Sequence, residues 1–93
     1  MLEIELVPDI NHCIETVAKQ RYAKIVGQLL ASGGHNPKLL ETVGILKNFL
    51  ETTDFKKLLA ESERRLVEGR YVKFIVYEEG GLAKCEMRIS PEP

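Results

Sequence analysis

His12 and Cys13 stand side by side, the residue types from which a thiolate nucleophile and its base are made. Activation requires hydrogen-bond reach between them. Neighbours on a helix diverge by about 100°, so on the helix expected here the two point apart and form no dyad. Cys85 lies in a β-prone run with apolar neighbours on its expected face, a setting that raises a thiol pKa and leaves the group inert. Cys13 and Cys85 show no metal or redox spacing. They read as small buried hydrophobes in a reducing compartment, with a single disulfide between them as the alternative. Two dispersed histidines and two dispersed cysteines offer no metal-ligand pattern. The sequence therefore implies neither a metal nor a cofactor, and a chain without catalytic activity is expected.

Gly33-Gly34-His35-Asn36-Pro37 is a Gly-rich loop entering a helix, where free N–H groups can hold a phosphate. Gly33, Gly34, His35 and Asn36 are accordingly anion-binding candidates. The segment matches neither G-x-G-x-x-G nor the P-loop, and no strand precedes it. The competing reading is one helix's C-cap meeting the next helix's N-cap, with His35 a surface residue. A small-ligand or enzymatic site near His12 or this loop is the least favoured of the functional classes.

The basic residues fall into a short patch, Lys19, Arg21 and Lys24, and a longer one, Lys56, Lys57, Arg64, Arg65 and Arg70. Glu61, Glu63 and Glu68 dilute the second, which reads as a solvated helix face rather than one entering DNA. With a formal net charge of −1, no whole-molecule field draws the protein to nucleic acid or an anionic membrane. No apolar run approaches the ~20 residues of a membrane helix. The acidic N-terminus is unlike the basic start of a secretory signal, so a cytoplasmic location is expected.

The elements that must position these residues are legible from periodicity. Leu2-Glu3-Ile4-Glu5-Leu6 alternates as a half-buried strand does, and Pro8 ends it. Asp9 or Asn11 is expected to cap a helix carrying Ile10, Ile14, Val17, Ala18, Tyr22, Ile25, Val26, Leu29 and Leu30, which Ser32-Gly33-Gly34 stops. Asn36-Pro37 starts a second helix running to about Glu51. Its apolar residues cover most of its circumference, so it is either central to the fold or packed on another chain. Gly27 and Gly44 either allow close backbone approach or leave gaps. Thr52-Thr53-Asp54 recaps a third helix, striped by Phe55, Leu58, Leu59, Ser62 and Leu66, and Gly69 ends it.

Arg70 to Ser90 is a hairpin signal, two β-prone arms flanking Gly80-Gly81. The order is βαααββ. It predicts a single α+β domain over residues 1–90: a small, mainly antiparallel three-stranded sheet with a C-terminal hairpin, and three helices packed on one face. Residues 91–93 are expected to be a disordered tail. The first strand is placed beside the Tyr71–Tyr77 arm, making that arm central; if parallel to it, the connection crosses right-handed.

Two hairpin registers compete. A Gly80-Gly81 turn supplies the positive φ that a type I′ turn needs, but sets Lys73 opposite Arg88. A Glu79-Gly80 turn pairs Lys73 with Glu86 instead. Both keep Val72, Phe74, Val76, Cys85, Met87 and Ile89 on the core side. In the first register, Glu3 and Glu5 are available to neutralise Lys73 and Arg88.

Either way the other face shows Tyr71, Ile75 and Tyr77, ringed by Lys73, Lys84 and Arg88 together with acids. An apolar-aromatic centre with a charged rim resembles a protein interface. The alternative is that long Lys and Arg stems merely cover a few apolar side chains. The functional expectation is a small protein-interaction domain, an adaptor, regulator or assembly subunit, that pairs with itself as a homodimer or with another protein. Tyr71, Lys73, Ile75, Tyr77, Lys84 and Arg88 are its interface candidates. Single-stranded nucleic acid stacking on the tyrosines is the runner-up.

Overall fold

The alternation of residues 2–6 forms strand β1 (Glu3–Leu6), which buries Ile4 and Leu6 and exposes Glu3 and Glu5. The computed structural model describes residues 2–9, 11–67 and 70–91. After β1, the Asp9 carboxylate accepts hydrogen bonds from the N–H groups of Asn11 (2.7 Å) and His12 (2.8 Å). This Asx turn replaces the helix cap expected of Asp9 or Asn11, because the carboxylate's acceptors are committed at a position four residues before the N-cap. Helix α1 (Ile14–Ala31) starts only after it, with Cys13 at the N-cap and no side-chain cap bond. Ile10 lies outside the described residues.

At the end of α1, the N–H of Gly34 bonds Leu29 O and that of Gly33 bonds Leu30 O, a Schellman closure. Gly33 and Gly34 have φ of 85° and 77°, which only glycine adopts without strain. Helix α2 (Pro37–Thr52) begins as expected. The Asn36 side chain accepts from the N–H groups of Lys38 (3.0 Å) and Leu39 (3.2 Å), and Pro37 sits in the first turn. Helix α3 (Phe55–Val67) is capped by Asp54, which accepts from Lys57 N–H at 3.3 Å. The expected stop at Gly69 lies outside the described residues.

Strands β2 (Arg70–Glu79) and β3 (Leu82–Pro91) form the hairpin. The sheet order is β1-β2-β3, with both pairings antiparallel, so β2 is central and β1 does not take the parallel option. The turn is Gly80-Gly81, with φ of 62° and 82°. Turn chemistry thus outweighs the like-charge opposition of Lys73 and Arg88, which is relieved locally: Lys73 Nζ lies 3.4 Å from Glu5 and Arg88 Nε 3.7 Å from Glu86. The acid for Arg88 comes from its own strand rather than from β1. Pro91 pairs with Arg70, so β3 runs one residue past the expected domain end at 90, into the segment expected as tail. Residues 92 and 93 lie outside the described set.

The helices cover one face. Ile4, Leu6, Val72, Phe74 and Val76 of the sheet meet Ile14, Ala18, Ile45, Leu46 and Phe49 of α1 and α2. Phe55 and Leu58 of α3 pack against this cluster, with Phe55 edge-on to Phe49 at 5.4 Å between ring centroids. Much of the apolar circumference of α2 is taken up by α1 and by strands β2 and β3, and α3 touches it through Phe55 on Phe49. Leu40 nonetheless stays 48% exposed, and Leu30 in the last turn of α1 71% exposed. A Cβ added at Gly27 or Gly44 would meet nothing within 4 Å, so neither glycine serves close backbone approach within the chain.

Candidate interaction surface on the sheet

The face of the sheet away from the helices is built in rows by the antiparallel register. Glu3, Tyr77 and Lys84 form one row, and Glu5, Ile75 and Glu86 the next. Lys73 opposite Arg88 forms a third, and Tyr71 opposite Ser90 a fourth. The register therefore places five of the six interface candidates, Lys73, Ile75, Tyr77, Lys84 and Arg88, on one surface. The side chain of Tyr71 lies outside the described residues.

Ile75 departs from expectation. It is only 3% exposed although it is not part of the helix-side cluster. It occupies the middle row of the central strand, flanked by Glu5 and Glu86 across the strands and by Lys73 and Tyr77 along its own. The Lys73 ammonium reaches diagonally across to Glu5, the cross-strand neighbour of Ile75. The expected apolar centre is thus buried within the single chain. Among the described residues, this face keeps Tyr77 half-buried and Lys84 and Arg88 exposed beside Glu3, Glu5 and Glu86, with Leu82 next to the turn 53% exposed.

This surface continues onto an open strand edge. In a two-residue hairpin the closing pair, Glu79 and Leu82, exchanges both ladder bonds. Alternation then turns the N–H groups of the odd-numbered β3 residues away from β2. Ala83 confirms the phase: its N–H donates to Asn48 Oδ1 on α2 at 2.7 Å. Sequence reasoning missed Asn48, since a mid-helix asparagine without a spacing signal reads as solvent-facing. Its only clue was a polar residue on a helix that is otherwise largely apolar.

The Gly33–Asn36 loop is a weaker candidate than its composition suggests. Gly33 and Gly34 donate to the end of α1, and Asn36 takes the Lys38 and Leu39 N–H groups. These are the donors an anion would have used.

His12 and Cys13 do not meet, though not for the helical reason expected, since His12 precedes the helix. The His12 ring faces Asp9 (3.2 Å), and Cys13 Sγ lies 3.4 Å from Thr16 Oγ1. That contact and the Thr16 backbone N–H hold the Cys13 thiol below its ordinary pKa. Cys13 and Asp54, at the starts of α1 and α3, share a cleft of about 330 Å³ with Glu15, Phe55 and Lys56. Burial pushes the Cys85 thiol up to about 11, as its apolar setting implied. Both cysteines are free thiols, so the disulfide alternative is not realised. Among the described residues, no three His, Cys, Asp or Glu side chains cluster to hold a metal, and no helix is long and apolar enough to cross a membrane.

Comparison with known proteins adds one placement. A family model matches residues 1–87, from before β1 to the middle of β3. The chain belongs to that family. No curated protein and no solved structure matches it. The family match covers β1, β2 and the first part of β3 but brings no activity, ligand or partner with it.

Proposed function

We propose that this chain is a small cytoplasmic interaction domain, non-catalytic and homodimeric, whose binding element is the sheet rather than the helices. The observation that carries this reading is the helix-free sheet face, with Tyr77 among charges of both signs, running without interruption into the ten-residue edge strand β3. Aromatic and Arg side chains with a mixed-charge rim are what protein interfaces select, and an edge strand is a ready template for pairing.

The mixed charge also argues against single-stranded nucleic acid. Lys73 and Arg88 are engaged by Glu5 and Glu86, which cancels much of the field that tracks a phosphate backbone.

Amide NMR spectra recorded over a dilution series test the proposal. Concentration-dependent shifts are expected on β2 and β3 around Tyr77, Lys84 and Arg88. Shifts confined to Leu30 and Leu40 at the α1–α2 end, or to the Cys13 cleft, would overturn it.

A further inference from the structure

The outward edge of β3 is blunted at both ends and open between them. At one end the Ala83 N–H is taken by Asn48. At the other, Pro91 has no N–H to offer. Between them, the outward positions by strand alternation are Cys85, Met87 and Ile89. The two blocked positions are equidistant from Met87, so a two-fold axis through Met87 sets each blocked position of one chain against the other kind in its mate.

We propose that two copies of this chain join β3 to β3, antiparallel about Met87, into one continuous six-stranded sheet. The proposal rests on the interaction-domain reading and supplies its dimer contact. Met87 faces Met87 of the second copy, and Cys85 faces Ile89, so each open donor finds an edge carbonyl. On the helix-free face, Glu86 falls opposite Arg88 of the second copy, twice by symmetry. Those two residues already sit within ion-pair distance in the single chain, and across the axis they complete a four-charge cluster of alternating sign.

The neighbouring registers are worse. An axis through Glu86 sets Glu86 against itself and Lys84 against Arg88. An axis through Cys85 preserves charge complementarity but sets Met87 against Ala83, whose N–H is already committed. A C2 contact of this kind closes, as an isologous interface must, and it places the two Tyr77-bearing faces side by side as one surface.

Disulfide trapping tests the geometry. In the full chain with Cys13→Ser and Cys85→Ser, a Met87→Cys change places two thiols at a hydrogen-bonded antiparallel pair, where the Cα separation of about 5.5 Å suits a disulfide. Rapid, near-complete cross-linking is expected for Met87→Cys and little for Lys84→Cys; the reverse order would overturn the register.

Solution mass tests the contact. Met87→Pro removes a donor that the chain's own ladder does not use, so it should stay folded by circular dichroism while its mass falls to that of one chain. Arg88→Glu should weaken the dimer at least tenfold, and adding Glu86→Arg should restore it. If Met87→Pro, folded, stays dimeric while Tyr77→Lys becomes monomeric, the dimer contact is the sheet face and the edge pairing is wrong, although the interaction-domain reading stands. If the unmodified chain is monomeric throughout, both fail.

Discussion

Ile75 shows how a branched side chain is buried on the open side of a three-stranded sheet without a covering layer. It is 3% exposed in a row between Glu5 and Glu86, and the neighbouring Lys73 pairs with Glu5 at the surface. Asn48 does comparable work at the edge, where its Oδ1 satisfies a backbone donor that the ladder leaves over. Asn48→Ala should lower stability by about 1–2 kcal/mol, the cost of an unpaired, partly buried N–H. Urea titration reads this as a lower midpoint at unchanged slope, and an unchanged midpoint would assign the bond no weight.

The two thiols should separate chemically. The Thr16 contact depresses the Cys13 pKa, which enlarges its thiolate fraction at pH 8, whereas the Cys85 thiol, at about 11, stays protonated. Alkylation followed by mass spectrometry should label Cys13 well before Cys85. The raised Cys85 pKa contributes stability that is complete below the ordinary thiol value of 9.0 and is lost as pH rises through about 11.

At the scale of elements, the strands and helices were legible because each carried both a period and a punctuation mark. Asn36-Pro37 started α2, and Gly80-Gly81 selected the register by backbone conformation alone. The start of α1 was not legible. Asp9 is as good a turn former as a cap, and the choice depends on the chain's return from β1, a tertiary constraint that spacing does not carry. The burial of Ile75 was missed for a related reason: face assignment gives side, not depth.

Gly27 and Gly44 looked like contact points but border open space. Gly44→Ala should therefore raise stability by about 0.5–1 kcal/mol, visible as a higher thermal midpoint. Gly80→Val, forced into positive φ, should lower it. A destabilising Gly44→Ala would mean that the α2 surface meets something beyond its own chain.

At the scale of the molecule, the helices complete the core on one side and leave the other side of the sheet, with its β3 edge, as the part not accounted for by folding. The free side chains there are of both signs, consistent with a protein surface rather than a polyanion. Titration of the chain with labelled single-stranded RNA at low salt should accordingly give flat anisotropy, and a steep, salt-sensitive rise would revive the nucleic-acid reading. Sedimentation velocity of the unmodified chain across the micromolar range tests the central claim most directly. The account predicts a species of twice the 10.5 kDa chain mass, and a single 10.5 kDa species at every concentration would contradict it.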